Sequence, residues 1–105
     1  GSIGKNAFAA MQRHAVLINT SRGEIVNENE LLEAVESGEI AGAALDVLSQ
    51  EPPRKENPLL HSKKILVTPH VSYLTEESLS ELRVKTVSNV ISLLRDNQPM
   101  NVVKA

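Results

Sequence analysis

The sequence contains no cysteine, so disulfide bridges and thiol chemistry are excluded, and a reducing compartment such as the cytoplasm is expected. Only 2% of the residues are aromatic, so the hydrophobic core has to be built from aliphatic side chains. The apolar runs are far shorter than the ~20 residues of a membrane-spanning helix, and no secretory signal is visible. We therefore expect a cytoplasmic protein with no membrane partner.

The sequence also lacks an excess of charge of either sign. The net charge is −2, and acidic and basic residues are interspersed, so no basic patch of the kind that binds nucleic acid is present. A length of 105 residues with 41% hydrophobic content is enough for one small folded domain. We predict no nucleic-acid partner and assign no metal site.

Three short segments combine an apolar body with a polar end, as strands of a buried parallel sheet do. The first reads AVLINT and continues into Arg22. The second contains Asp46, and the third stops at Pro69 and is followed by His70. These predicted strands are residues 15–20, 40–47 and 64–68. Because ligands of open parallel sheets bind beyond the carboxyl ends of the strands, a functional site is expected at these ends.

Helices are predicted around the strands. A short helix is expected at residues 5–13. Asn27 is a suitable N-cap for a second helix, and Gly38 suits the left-handed residue that ends it. Thr75 is the predicted cap of a long third helix that ends near Asn97.

The order strand, helix, strand makes a right-handed βαβ unit, so the predicted class is α/β with a doubly wound parallel sheet. Three strands form only a thin sheet with an open edge. The five glycines nowhere form G-x-G-x-x-G, the turn that seats the pyrophosphate of a dinucleotide. We infer the second half of a doubly wound domain. The alternative is a free-standing small domain that pairs its open edge with a partner protein.

Three ionisable side chains follow the ends of these elements. Arg22 has a planar, charged guanidinium group that can bind a carboxylate through two hydrogen bonds, although the sequence would look the same for an ordinary surface arginine. His70 can exchange a proton near neutral pH, or can be a packed or exposed histidine. Glu51 precedes two prolines; it can stabilise a charged imidazole, or can be a solvated loop acid.

Asp46 ends the second predicted strand, where it is either part of a site or the partner of a cap or turn. An arginine, a carboxylate and a histidine at the ends of different elements have the composition of an acid–base site with an anion clamp. The joint occurrence of Arg22, Glu51 and His70 therefore says more than any one of them.

The ordered motifs resemble the D-isomer-specific 2-hydroxyacid dehydrogenases. The matching pieces are Phe8-x-x-Met11, AVLINTSRG, LLEAVESGEIAGAALDV, EPP, NPLL and ILVTPHVSYLTEES. They cover nearly the whole chain, and their combination is highly specific although each piece alone is weak. The resemblance implies three parallel strands with flanking helices from a Rossmann-type domain. Residues 1–96 would be the C-terminal part of the dinucleotide-binding domain, and residues 97–105 a tail that returns toward a substrate domain.

The resemblance also implies roles for individual residues. The catalytic arginine, glutamate and histidine of the family fall on Arg22, Glu51 and His70. The implied cofactor-binding residues are Thr20, Ser21, Arg22, Asp46 and His70. The implied cofactor is NAD, with NADP not excluded, and the parent protein is expected to be a homodimer that acts on a small 2-keto or 2-hydroxy acid.

Two functional hypotheses follow from the resemblance. In the first, the chain is part of an oxidoreductase that transfers a hydride between NAD(H) and a D-2-hydroxy acid or its keto acid, and this fragment alone is inactive. In the second, the same scaffold is a non-catalytic module that senses NAD(H) or binds a protein. The complete set of Arg22, Glu51 and His70 favours the first.

Overall fold

The computed structural model describes residues 1–102, which comprise three α-helices, three strands and two short 3-10 turns. The helices are α1 (Lys5–Ala9), α2 (Glu28–Glu36) and α3 (Glu76–Asp96), the strands are β1 (Val16–Asn19), β2 (Gly42–Leu45) and β3 (Ile65–Val67), and the 3-10 turns are Gly23–Ile25 and Pro58–Leu60. The chain divides into two compact units, Gly1–Ser72 and Tyr73–Ala105. The predicted domain boundary after residue 96 stays a prediction, and residues 103–105 of the predicted tail lie outside the described residues.

The three strands form one parallel sheet in the order β1-β2-β3. The register places Ile18 beside Ala44 and Ala44 beside Leu66, so the carboxyl ends of all strands lie at the same edge. This topology confirms the predicted α/β class and the predicted parallel sheet. The observed strands lie within the predicted ranges and are one or two residues shorter at each end.

The core lies on one face of the sheet and is almost entirely aliphatic, as the composition predicts. Phe8 of α1, Leu31 and Val35 of α2 and the loop residue Ile40 are fully buried. They form one cluster with the sheet residues that point toward them, Leu17, Ala43, Leu45, Ile65 and Val67. Removal of these side chains from water is the main stabilisation of this unit.

The opposite face of the sheet is exposed in this unit. Val16 and Ile18 of β1 are 55% and 70% exposed, and Leu66 of β3 is 62% exposed. Strands of parallel sheets are normally covered on both faces. The thin sheet therefore has the form of a partial doubly wound sheet.

The predicted helix at residues 5–13 is wrong in its second half, because α1 ends at Ala9. The amide of Ala10 donates to the carbonyl of Ala7, which tightens the helix end into a 3-10 turn. A further turn, closed by the amide of Ala15 on the carbonyl of Gln12, leads the chain into β1. The apolar pattern was too short to show where the helix gives way to this turn.

The predicted ends of the other two helices are confirmed. Asn27 accepts a hydrogen bond from the amide of Glu30 at the start of α2, and Gly38 after its end has φ +75°. Thr75 forms a capping box with Ser78 at the start of α3, and Asn97 ends α3 in the left-handed conformation. No side chain of α3 is buried. Among the described residues, no helix has the length and apolar character needed to cross a bilayer.

Candidate active site

Arg22 is held by an Asn-centred turn at the end of β1. Asn19 is only 7% exposed; its Oδ1 accepts from the amide of Ser21 at 3.1 Å, and its Nδ2 donates to the carbonyl of Arg22 at 2.9 Å. Asparagine commonly stabilises turns in this way. Sequence reasoning missed the role of Asn19, although a polar residue that ends an apolar strand before Ser-Arg-Gly was a usable signal.

The turn after β1 packs directly on the segment that follows β2. A Cβ added at Gly23 would overlap the backbone of Leu48 and Ser49, so only glycine allows this close approach. The approach places Arg22 next to the segment that carries Glu51. The glycine thus has a packing function between two of the predicted site elements.

Glu51 and His70 form a hydrogen-bonded pair. The Oε2 of Glu51 lies 2.8 Å from Nδ1 of His70, and its Oε1 accepts from the amide of Leu48 at 2.9 Å. The His70 hydrogen bond, and secondly the Leu48 amide, lower the pKa of the Glu51 carboxyl, so this side chain is ionised at neutral pH. An ionised carboxylate on Nδ1 fixes the orientation of the imidazole ring.

The three predicted catalytic residues line one cleft. Arg22, Glu51 and His70 line a space of about 240 Å³, whose remaining wall is formed by Gly23 and Glu24 and by residues 47–49 after β2. The side chains of Glu51 and His70 are 37% and 44% exposed, so solutes can reach the pair. The structure thus brings together a cation, a carboxylate and an imidazole from three separate connections.

Glu28, at the start of α2, is a second residue that sequence reasoning missed. Its Oε1 accepts from the amide of Ser49 at 2.6 Å, which ties the segment after β2 to α2. An acid in the first turn of a helix also suits the helix dipole. A contact between residues so far apart in the chain had no local signal.

Asp46, directly after β2, is buried, and its carboxylate oxygens accept hydrogen bonds from the connection after β3. Its Oδ1 accepts from Oγ1 of Thr68 at 2.5 Å and from the amide of Val71 at 2.9 Å, and its Oδ2 accepts from the amide of Ser72 at 2.8 Å. The Thr68 hydroxyl above all, then the Ser72 hydroxyl and the Ser72 and Val71 amides, hold the pKa of this carboxyl well below its usual range. Asp46 therefore has the turn-partner role that the sequence left as an alternative.

Asp46 is expected to make the free energy of unfolding depend on pH in the acidic range. The pKa of Asp46 is depressed in the folded state, so on acidification the unfolded chain takes up a proton first. The contribution of Asp46 to the free energy of unfolding is therefore complete above about pH 5 and is lost progressively as the pH falls below about 4. The difference in free energy of unfolding between wild type and Asp46→Asn should therefore shrink on acidification. Urea denaturation at several pH values measures it; a difference independent of pH would contradict the argument.

Thr20 and Asp46 line a second cleft, of about 200 Å³. Its apolar floor is formed by Ile18, Ala44 and Leu66, which lie side by side in the sheet register. The small side chain of Ala44 leaves space between Ile18 and Leu66. Ser21 is exposed, and its amide is engaged by Asn19 in the turn described above.

Comparison with known proteins places this geometry in a family. The sequence profile described as D-isomer specific 2-hydroxyacid dehydrogenase, NAD binding domain, matches residues 1–72. A hydroxypyruvate reductase from Blautia hydrogenotrophica is 39% identical over 103 residues, which are 98% of this chain and 32% of that protein. The chain thus spans about a third of the length of this relative.

Two solved structures show the same fold. D-lactate dehydrogenase with NAD⁺ from Lactobacillus jensenii superposes with a TM-score of 0.79 at 33% identity, over 98% of this chain and 35% of that one. An NADPH-dependent glyoxylate/hydroxypyruvate reductase from Sinorhizobium meliloti, in complex with NADP and malonate, has a TM-score of 0.87 at 29% identity, over 97% of this chain and 32% of that one. The chain belongs to the family of D-isomer specific 2-hydroxyacid dehydrogenases, and its first 72 residues match their NAD-binding domain.

Proposed function

We propose that this chain is part of an NAD(P)-dependent oxidoreductase that interconverts a small 2-keto acid and the corresponding D-2-hydroxy acid. The observation that carries the proposal is the 2.8 Å pair of Glu51 and His70, which shares a cleft with Arg22. A 2-keto acid offers a carboxylate beside a carbonyl, and this cleft offers a cation beside an acid–base pair. The two sets of groups are complementary.

His70 donates a proton to the carbonyl oxygen as the keto acid is reduced, and accepts it again in the reverse direction. Glu51 holds the imidazole through Nδ1 and balances its charge, so the proton is exchanged through Nε2. Arg22 binds the substrate carboxylate and polarises the carbonyl group. Since the Leu48 amide also anchors Glu51, the pair is oriented before substrate arrives.

The second cleft fits the nicotinamide end of the cofactor. Its apolar floor suits one face of an aromatic ring, and Thr20 and Asp46 in its wall suit a polar substituent. When bound, the reduced nicotinamide supplies the hydride that joins the carbonyl carbon. Ser21 stays a proposed backbone contact, and solved relatives with NAD⁺ and with NADP support either dinucleotide.

The 105 residues contain no G-x-G-x-x-G turn, so we expect the isolated chain to bind NADH weakly and to be inactive. A cytoplasmic location, which the cysteine-free sequence supports, and a homodimeric parent, which the resemblance supports, belong to the same proposal. The domain boundary at residue 96 does too. A non-catalytic module is not favoured, because it would not need the Glu51–His70 pair.

The proposal is tested with the full-length protein that contains this chain. Oxidation of NADH and NADPH is followed by absorbance with a panel of small 2-keto acids, including glyoxylate, pyruvate and hydroxypyruvate. We expect reduction of at least one of them to the D-hydroxy acid. Binding of the dinucleotide without reduction of any panel member would favour the sensing module instead.

Replacement of Arg22 by glutamine is expected to lower kcat/KM for a 2-keto acid by about 10²- to 10³-fold, because a charge that binds and polarises the substrate is lost. Lysine at this position should restore only part of the loss, since it cannot form a bidentate contact. Arg13→Gln is the matched control, because Arg13 is exposed in the turn before β1, at the other end of the sheet. Equal effects of both variants would contradict the assignment.

A further inference from the structure

We propose that Asp46 is a positioning residue for His70, and that it acts by holding the connection after β3 in the one backbone conformation that presents the imidazole to Glu51. Asp46 directly follows the neighbouring strand β2 and binds this connection on both sides of His70. The inference rests on the proposed function only where turnover is measured.

The backbone at His70 needs such support. His70 has φ +55°, in the left-handed region that residues other than glycine adopt with difficulty. Its amide donates to the carbonyl of Thr68 at 3.0 Å, which closes a tight turn around Pro69. A residue held in this conformation persists only when the surrounding structure over-determines it.

The carboxylate of Asp46 supplies that constraint at three points. It accepts from the side chain of Thr68, two residues before His70, and from the amides of Val71 and Ser72, directly after it. All three partners are donors, so only a group with two acceptor oxygens satisfies them. An asparagine would keep one acceptor oxygen, but its NH₂ group would face a donor. At least one of the three hydrogen bonds would therefore be lost.

Thr68 is one of the three donors, so a substitution there tests these hydrogen bonds while Asp46 itself stays in place. Thr68→Val deletes the hydroxyl that donates to Asp46, keeps the shape of the side chain and leaves the carboxylate in place. Thr68→Ser restores the hydroxyl and is the conservative rescue. Because Thr68 also lines the second cleft, the effects of both changes on His70 and on cofactor affinity are measured separately.

The first measurement is NMR of the 105-residue chain without ligand. The one-bond Cα–Hα coupling of His70 reports the sign of φ, and the ¹⁵N shifts of its ring report the state of Nδ1. We expect both to move away from their wild-type values in Asp46→Asn and in Thr68→Val, and to return in Thr68→Ser. Wild-type couplings and ring shifts in Asp46→Asn would overturn the proposal.

The second measurement uses the full-length protein. Thr68→Val should lower kcat on the order of tenfold or more, because a small displacement of a catalytic group is costly, and Thr68→Ser should restore it. A loss that appears only in NADH affinity would overturn the positioning role. If the full-length protein reduces no keto acid, the proposed function fails, whereas the NMR result still decides whether Asp46 positions His70.

Discussion

Replacement of His70 by alanine is expected to lower kcat of the full-length protein by about 10²- to 10⁴-fold while NADH binding stays nearly intact. The imidazole is the proposed proton donor, and Glu51 engages its Nδ1 at 2.8 Å. No other side chain on the wall of the first cleft is a histidine. Steady-state kinetics with the best keto acid, and a fluorescence titration with NADH, measure the two quantities separately. Near wild-type turnover would show that another group supplies the proton.

Two further variants separate loss of the imidazole from distortion of the backbone and from loss of a distant histidine. Because His70 has positive φ, alanine could distort the connection after β3 as well as remove the imidazole. Asparagine tolerates the left-handed region better, so His70→Asn should lose turnover with less disturbance of the backbone. His14→Ala is the control at the other end of the sheet, where the exposed imidazole lies in the turn before β1, and it should keep wild-type turnover.

Replacement of Gly23 by alanine is expected to destabilise the chain by about 3 kcal/mol or more. The added Cβ would overlap the backbone of Leu48 and Ser49, which cannot move aside as the end of a flexible side chain can. Relief of the overlap would separate the Arg22 turn from the segment that leads to Glu51. Urea denaturation followed by far-UV circular dichroism measures the loss, and an unfolded variant would be its extreme form.

Gly38→Ala is the matched control for this effect. Alanine adds a Cβ at Gly38 as it does at Gly23, but at Gly38 nothing lies within 4 Å of the position of this added atom. Its φ of +75° makes alanine unfavourable by about 1 kcal/mol through the backbone alone. Gly23 does not have a positive φ, so equal destabilisation by the two substitutions would contradict the close-packing argument.

The sheet was predictable because its signals are local. An apolar run of a few residues, a following polar residue and a helix between two such runs are enough to indicate parallel strands. The capping residues Asn27 and Thr75 are equally local, since the cap bonds reach only three residues ahead. The helix α1 was less predictable, because five residues offer too little periodicity.

The contacts that organise the site could not be predicted in this way. The bonds from Glu28 to Ser49 and from Asp46 to Ser72 join residues that are distant in sequence, and nothing near either acid indicates its partner. The sequence indicated that Arg22, Glu51 and His70 lie at one edge. Only the structure shows that Glu51 divides its two oxygens between His70 and a backbone amide.

The parallel register has a consequence for the order of events during folding. Each strand pair joins distant parts of the chain, such as Val16 with Gly42 and Ala43 with Ile65. Loop closure must precede such pairing, which makes sheets of this kind slow to form. The hydrogen bond between Glu51 and His70 joins the same connections, so we expect it to form only late in refolding.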